Sequence, residues 1–397
     1  MQFQNLTYAG EHFVEVWGPA VLDPSDLNTH NLATVVDRTK FKETLNEIED
    51  VVEFQNPSAK FNPQSTDAEI DEVNLELKPY EFHKEISLSD IRKSWYSGQL
   101  GAGSLNDYEM SELVDMYIRN VYVPKLKLAQ ANLVLNGKQG LEARIGSYSF
   151  SQAYNGLYTL IEGLTGKFTQ GLAADQITIA SVSKGEVTTI TLASGSEATK
   201  KLFPGNTISL RNMAGTGWTA VNGDYKILEV VSDTEIIVKI DTDDLTSNDY
   251  TANSGRVRYI NRTNIIRLLA NHLALVPDAV RRAGAPIVMP EHLEMEFQFA
   301  NAAVQENGGN FFLTAYQLKM INQRIVILDR AKANTIATWP QDAVFYGYDL
   351  EGDYSNVEVL WQGATGNKVY NVRAAMKTGV AVTKKFPDKI TLTSPDA

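Results

Sequence analysis

The alternation of apolar and polar residues from Asp71 to Ser89 is typical of β-strands with one polar face. The apolar positions in this stretch are Val73, Leu75, Leu77, Tyr80 and Phe82. Mostly charged or polar residues stand between them, so the pattern predicts a two-stranded, highly charged protrusion. Because an isolated hairpin is marginal in water, the protrusion is expected to lie on a neighbour.

The residues before this stretch predict an N-terminal arm and a short helix. Residues 1 to about 40 alternate small apolar clusters with turn-forming residues such as Asp23-Pro24-Ser25-Asp26. A short helix is predicted around Thr39 to Val52. Pro57 and Pro63 prevent that helix from continuing, because proline lacks a backbone donor and disfavours helix in the residue before it.

The best helical period in the chain starts near Ser104, where Ser104-Leu105-Asn106-Asp107 resembles a capping box. Its apolar positions are Met110, Leu113, Val114, Tyr117, Ile118 and Val121. Pro124 is expected to kink or divide the helix, and Asn136-Gly137 is expected to end it. The pattern predicts one long, one-sided helix over residues 104–135.

The composition changes at about Gly171, and from there to Arg262 the sequence predicts strands and turns. The predicted strands are Ile177 to Val182, Val187 to Leu192, Thr207 to Leu210, Tyr225 to Val231, Glu235 to Ile240 and Val257 to Ile260. Asn222-Gly223 and Ser232-Asp233 supply tight turns. This stretch predicts a small all-β domain inserted into a longer fold.

Helical periodicity returns at Asn264, a strand is predicted at Ile287 to Met289, and Pro290 is placed to open another helix. The remainder is predicted to be mainly β, in the segments Tyr316 to Met320, Arg324 to Leu328, Asn356 to Trp361, Val369 to Met376 and Val380 to Val382.

Composition narrows the function classes. Of the 397 residues, 43% are hydrophobic and 21% charged, as in folded proteins of two or three domains. The net charge of -12 argues against a protein that holds nucleic acid or an anionic membrane, because such binding needs clustered cations. With no cysteine, disulfides, thiolate metal sites and thiol nucleophiles are excluded. Neither a signal peptide nor a membrane span is expected, and assembly in the cytosol is expected.

Candidate chemistry is sparse. The five histidines are scattered, at His12, His30, His83, His272 and His292. Their spacing does not suit a metal site, and His272 is expected to pack on the apolar face of a helix.

Two glycine-containing stretches resemble nucleotide-binding motifs but are not predicted to act as such. Gly215-Thr216-Gly217-Trp218-Thr219-Ala220 matches a dinucleotide fingerprint without its strand and helix, so a turn is expected there. Gly163-Leu164-Thr165-Gly166-Lys167 lacks the first glycine and the closing Ser or Thr of a P-loop.

Two groups of neighbouring carboxylates are the remaining candidates for acid-base chemistry or cation binding. Asp243 with Asp244, and Asp349 with Glu351 and Asp353, are expected to lie in solvated loops. We therefore predict no catalytic residue, no metal ligand and no cofactor, and the chain is not expected to be an enzyme.

The closing segment carries the most suggestive resemblance. Pro340-Gln341-Asp342-Ala343-Val344-Phe345-Tyr346-Gly347-Tyr348-Asp349 is followed by Tyr370-Asn371-Val372-Arg373-Ala374-Ala375-Met376-Lys377-Thr378-Gly379-Val380-Ala381-Val382 and by Phe386-Pro387-Asp388-Lys389-Ile390. Together with the order of arm, charged protrusion and long helix, this resembles the Hong-Kong-97-type major capsid proteins of tailed bacteriophages. The implied fold is α+β, with an N-arm, an E-loop, a spine helix, and peripheral and axial domains. The all-β stretch would be an Ig-like or small-barrel insertion.

The resemblance implies the following domains. The N-terminal arm spans 1–50 and the E-loop 51–90. The peripheral domain spans 91–165 and 346–397, with the spine helix at 104–135. The axial domain spans 166–170 and 263–345, and the inserted domain spans 171–262.

The resemblance also implies partner proteins and a location for the protein. Copies of the chain would form hexamers and pentamers of an icosahedral head in the virion, assembled in the bacterial cytoplasm with scaffold, portal and decoration proteins. The head would enclose double-stranded DNA without sequence-specific binding and without a membrane.

Two other function classes stay open. One is an encapsulin-type compartment shell with a cargo enzyme. The other is a glycan-binding or hydrolytic virion protein that uses Trp218, Trp339 or Trp361 as a stacking platform.

Overall fold

The computed structural model describes most of the chain outside the N-terminal quarter. The described residues are 6–8, 26–37, 42–49, 69–87, 116–140, 142–145, 148–151, 154–164, 169–170, 175–193, 199–243, 250–306, 313–314, 317–320, 323–328, 330–349, 357–362, 369–383 and 389–394. They fall into two compact units: unit 1 is Met1–Leu164 with Asp342–Phe386, and unit 2 is Thr165–Gln341 with Pro387–Ala397.

The strands and helices are numbered in chain order. The strands are β1 Leu6–Tyr8, β2 Thr34–Asp37, β3 Lys42–Glu49, β4 Glu69–Glu76, β5 Lys78–Ser87, β6 Glu142–Ile145, β7 Tyr148–Ser151, β8 Thr169–Gln170, β9 Asp175–Ser183, β10 Thr188–Leu192, β11 Thr207–Arg211, β12 Gly223–Val230, β13 Glu235–Val238, β14 Arg256–Tyr259, β15 Ile287–Met289, β16 Leu313–Thr314, β17 Gln317–Met320, β18 Gln323–Ile327, β19 Ile336–Thr338, β20 Val344–Asp349, β21 Val357–Gln362, β22 Val369–Val382 and β23 Thr391–Thr393. The α-helices are α1 Val123–Asn136, α2 Leu157–Gly163, α3 Ile265–Leu275, α4 Asp278–Arg282 and α5 Glu291–Glu306.

Unit 1 contains a six-stranded sheet in the order β1-β21-β22-β20-β2, with β5 also paired to β22. Strand β22 is continuous over 14 residues, so the two predicted segments within it form one strand. The strands predicted between Asp71 and Ser89 are confirmed as β4 and β5.

The prediction of a short helix at Thr39 to Val52 is wrong, because Lys42–Glu49 is strand β3 and pairs antiparallel with β4. The protrusion is therefore a ribbon of β3 and β4, while β5 pairs with β22. The end of the ribbon that contains Val73 and Leu75 is here called the ribbon base. It packs in unit 1, where these two residues and Leu77 are buried with Ala381. Pairing of β3 with β4, together with the packing of Leu45 on this cluster, outweighs the helical propensity of the short segment.

The end of the long predicted helix is confirmed. A π-helical turn, Ile118–Tyr122, runs directly into α1, and the Val123 N–H bonds to the Ile118 carbonyl. Pro124 lies in the first turn of α1, so the helix accommodates it by the wider turn before it rather than by breaking. The helix ends at Gly137 as predicted, and its predicted start near Ser104 lies outside the described residues.

A buried hydroxyl cluster joins α1 to the sheet of unit 1. The Tyr80 Oη lies 2.5 Å from Gln130 Oε1, and Gln130 Nε2 donates to Thr378 Oγ1 at 3.1 Å. Tyr154 Oη lies 2.8 Å from the same Thr378 oxygen. Burial raises the pKa of Tyr80 and of Tyr154 well above the ordinary value, so both phenols stay protonated and can donate.

Unit 2 contains a closed barrel in the order β10-β13-β12-β11-β14-β9, and all six predicted strands of the all-β stretch are confirmed in it. The barrel encloses its own apolar core. Its inward residues include Ile190, Ile208, Ile236 and Val257, which alternate with outward residues as a half-buried strand requires.

The remainder of unit 2 is a seven-stranded sheet, β16-β17-β18-β15-β19-β23-β8, with α3 and α5 packed on a second core. The predicted helices after Asn264 and after Pro290 are confirmed, as is the strand at Ile287–Met289. In the described part of the chain, no helix has the length and apolar character that crossing a membrane needs.

Candidate functional site

The histidine predicted to pack on a helix does so. His272 in α3 is buried, and its two ring nitrogens lie 3.0 Å from Thr393 Oγ1 and 3.0 Å from Thr338 Oγ1. Burial lowers its pKa to about 3. The neutral ring therefore ties α3 to β19 and β23, which is a structural role.

The tryptophans do not form an exposed stacking platform where the structure describes them. Trp218 is 1% exposed and Trp339 is 0% exposed. Trp218 closes the barrel core and meets the Tyr250 ring edge-on at 6.0 Å. The Gly215 to Ala220 stretch leads into a 3-10 turn, Trp218–Val221, as the turn prediction requires. Neither tryptophan can stack on a glycan in this state, and the side chain of Trp361 lies outside the described residues.

The expectation of a solvated loop at Asp349 is wrong. Asp349 ends strand β20, is 4% exposed, and has an oxygen 3.7 Å from the buried Lys377 Nζ. Strand pairing of β20 with β22 places the two residues opposite each other and keeps water away. Asp243 is exposed as expected, whereas Asp244, Glu351 and Asp353 lie outside the described residues. No group of three or more potential metal-ligating side chains occurs among the residues that the structure describes.

The most elaborate polar arrangement lies between the barrel and α5 in unit 2. Glu296 of α5 is 7% exposed and accepts hydrogen bonds from the Arg262 backbone N–H at 2.8 Å and from Arg262 Nε at 3.1 Å. Asn206 of the barrel donates to the same carboxylate at 2.9 Å. The Arg262 guanidinium lies 4.4 Å from the Phe203 ring centroid and 4.6 Å from that of Phe299. We call Asn206, Arg262 and Glu296 the clamp.

A second polar contact supports the clamp. Asn334 Nδ2 donates to Ser209 Oγ of the barrel at 2.9 Å, and Ser209 Oγ donates to Asp224 Oδ1 at 2.6 Å. The His292 ring at the start of α5 lies beside Asn334, and burial lowers the pKa of His292, an effect that nearby Asp224 and Glu296 oppose. Because buried polar groups are costly unless paired, these contacts fix the barrel on its neighbours in one orientation.

Two exposed apolar side chains of α5 lie beside this clamp. Met295 is 54% exposed and Phe299 48%, and the Phe299 ring contacts the Arg262 guanidinium. Together with the half-buried Phe203, we call them the junction patch. The sequence reading did not identify it, although Met295 and Phe299 stand four residues apart on the side of α5 away from the buried Leu293 and Phe297.

The ribbon of unit 1 is the other candidate surface. Beyond its apolar base, the ribbon continues as two paired strands as far as Glu49 and Glu69. A two-stranded ribbon has little stability of its own in water. The ribbon is therefore better suited to lying on another surface than to standing in water.

No family model matches the sequence, and no curated protein does. Solved structures with a similar chain include a capsid of an empty GTA particle, with 14% identity, a TM-score of 0.44, and coverage of 93% of this chain and 89% of that chain. A procapsid of satellite phage P4 that includes the size determination protein has 10% identity, a TM-score of 0.46, and the same coverages of 93% and 89%. The capsid of Myoviridae phage XM1 has 10% identity, a TM-score of 0.39, and coverages of 92% and 90%.

Proposed function

We propose that the chain is a structural shell subunit, the major capsid protein of a tailed bacteriophage, with a Hong-Kong-97-type fold and a small β-barrel inserted in it. The observation that carries the proposal is the order and pairing of its elements. An arm strand, a charged ribbon, a long helix, a mixed α/β unit and a long closing strand follow one another along the chain. On this proposal the ribbon belongs to the E-loop, α1 to the spine helix and the barrel to the insertion.

In such a shell the function is geometric. The ribbon and arm of one copy overlap its neighbours, and contacts between different surfaces close into pentamers and hexamers. Each contact can be modest, because every subunit touches several partners. The net charge of -12 suits a wall around DNA, since a basic lining would retain the entering genome. Scaffold and portal proteins are further partners proposed for this role, a decoration protein is an additional candidate, and no catalysis is part of the role.

Electron microscopy of the purified full chain, alone and co-expressed with its genomic neighbours, tests the proposal. Closed icosahedral particles with copies in rings of five and six are expected. Monomers that persist in all conditions, including crowding agents and co-expressed scaffold, would contradict it.

The same particles distinguish the two alternatives. An encapsulin-type shell would enclose a co-encoded enzyme and no portal, which mass spectrometry of purified particles detects. A glycan-binding protein would bind a glycan array in a manner that a Trp361→Ala substitution abolishes. Of the three tryptophans proposed as a stacking platform, Trp218 and Trp339 are buried, so Trp361 is the one to test for glycan binding.

A further inference from the structure

Three arginines stand together on the outer face of the barrel. The strand register places Arg211 of β11 directly opposite Arg256 of β14, and Arg258 is the next outward residue along β14. Arg256 and Arg258 lie on the same side of the strand, because the residue between them is buried in the barrel core. Their partners on β9 are the uncharged Thr178 and Gln176. We call Arg211, Arg256 and Arg258 the arginine face.

One acidic residue stands beside this face at the paired strand positions. Asp224 of β12 accepts hydrogen bonds from Arg211 Nη2 at 3.2 Å and from Ser209 Oγ at 2.6 Å, so it balances Arg211. The other acidic residue of β12, Glu229, lies beyond the pairing with β11 and opposite Ile237 of β13. Asp224 therefore leaves the two arginines of β14 uncompensated.

Neither Arg256 nor Arg258 forms an ion pair in the part of the chain that the structure describes. Arg256 Nη1 donates to backbone carbonyls of the loop before β14, which are neutral acceptors. The Nε of Arg258 is buried and has no acceptor among the described residues. Asp175, the acidic residue of β9, pairs with Arg267 of α3 at 2.6 Å instead. Because a buried donor without an acceptor is costly, the arginine face favours a partner that supplies carboxylates.

The ribbon of β3 and β4 has the opposite charge. Three carboxylate residues lie in β3 and four in β4, against one lysine, Lys42. Glu72 and Glu76 are exposed on the side of β4 away from the buried Val73 and Leu75. A guanidinium can donate two parallel hydrogen bonds to one carboxylate, which makes arginine well suited to such a strand. The ribbon also needs a surface, because two strands alone are marginal in water.

We propose that the arginine face of one copy binds the acidic ribbon of a second copy of this chain. The two surfaces differ, so the contact is heterologous, and every copy can both provide a ribbon and receive one. Three arginines are few for nucleic acid, whose affinity grows with the number of phosphates that are neutralised. The inference rests on the proposed function, because it names the surface that receives the ribbon of a neighbouring shell subunit.

Cysteine cross-linking between full chains tests the contact, because the chain has no cysteine of its own. One chain carries Gln176→Cys, at the register partner of Arg258, and a size-tagged second chain carries Asn74→Cys, at an exposed position of β4. A short bismaleimide should join the two into a mixed dimer on a denaturing gel. In the control, Lys239→Cys replaces Gln176→Cys. Lys239 is exposed and follows β13, which lies opposite β14 in the barrel, so no mixed dimer is expected.

Charge reversal in the same mixture tests the chemistry of the contact. Glu72→Lys in the ribbon chain, or Arg258→Glu in the barrel chain, should each lower the yield of mixed dimer about fivefold or more. The two substitutions together should restore the yield, because opposite charges again face each other. Lys239→Glu in the barrel chain makes the same charge change on the far side of the barrel and should leave the yield unchanged.

Thermal melting shows whether each variant is folded. If Arg258→Glu unfolds the barrel, Thr178→Glu replaces it, since this substitution sets a carboxylate beside Arg256 without removing an arginine and should also lower the yield. Absence of the mixed dimer, or losses that add in the double reversal instead of cancelling, would overturn the inference. Unchanged cross-linking in Arg258→Glu with lost binding of a duplex DNA oligonucleotide would assign the face to nucleic acid and overturn it as well.

Electron microscopy of the same chains, co-expressed with their genomic neighbours, separates the inference from the proposed function. Closed particles without a mixed dimer mean that the contact is wrong and the capsid proposal stands. A mixed dimer without closed particles means that the capsid proposal is wrong and the contact between copies stands.

Discussion

Two glycines face each other where the ribbon base crosses the sheet of unit 1. Gly347 of β20 and Gly379 of β22 are register partners. A Cβ atom on Gly379 would overlap the Glu76 carbonyl, and one on Gly347 would overlap the Leu75 and Leu77 side chains. The pair therefore lets the chain between β4 and β5 lie directly on the strands, which seats the ribbon.

Gly379→Ala should destabilise the protein by about 2 kcal/mol, because the backbone of Glu76 must move away and open the apolar base. Gly163→Ala is the control, since an added Cβ there meets nothing within 4 Å and alanine favours the helix that contains it, so no loss of stability is expected. Urea unfolding followed by circular dichroism measures both. Equal stability of the two variants would contradict the close approach.

His272 makes stability depend on pH. Its pKa is about 3 in the folded protein and 6.5 in the unfolded chain, so folding favours the neutral ring. The stabilisation of the folded protein by the neutral His272 ring is fully present above pH 6.5. It is lost as the pH falls toward 3, at up to about 1.4 kcal/mol of unfolding free energy per pH unit.

Substituting His272→Gln should remove this pH dependence, so the difference in unfolding free energy between wild type and variant should shrink from pH 7 to pH 4. Gln176→Asn, at an exposed position without an ionisable side chain, should leave the profile unchanged. Parallel profiles of unfolding free energy against pH for wild type and His272→Gln would contradict the lowered pKa of His272.

At the scale of elements, the clamp joins the barrel to α5 through hydrogen bonds to Glu296. Glu296→Ala leaves the buried Asn206 amide and the partly exposed Arg262 guanidinium without this acceptor, so it should cost about 2 kcal/mol. Glu294→Ala, two residues earlier on the same helix, removes an exposed side-chain hydrogen bond from Gln298 and should cost less than about 0.5 kcal/mol. Chemical denaturation compares the two, and similar costs would show that the clamp contributes little.

Elements were predictable from sequence where the pattern was long or strongly periodic. The strands of the barrel and helix α3 are confirmed, because alternation by two and the helical period each reflect one buried face. Strand β3 was missed, since Lys-Glu-Thr-Leu-Asn-Glu-Ile-Glu has good helix formers and becomes a strand only by pairing with β4, twenty residues further on.

For the whole molecule, the net charge of -12 makes copies repel one another in solution. If the chain assembles, raising sodium chloride from about 20 mM to about 200 mM should shorten the lag before particles appear, because the Debye length falls to below about 10 Å. Light scattering follows the lag. Slower assembly at higher salt would mean that attractive ion pairs between copies outweigh the general repulsion.

The sequence by itself determined the all-β stretch, its turns, the helix that ends at Gly137, the packing role of His272 and the lack of cysteine chemistry. Each of these depends on local periodicity or on composition. Only the tertiary structure decided the closure of the barrel, the clamp on Glu296, the burial of Asp349 and the junction patch. These depend on residues brought together across distant parts of the chain, such as Asn206 and Glu296, and no local pattern records which side of an amphipathic element its neighbours leave uncovered.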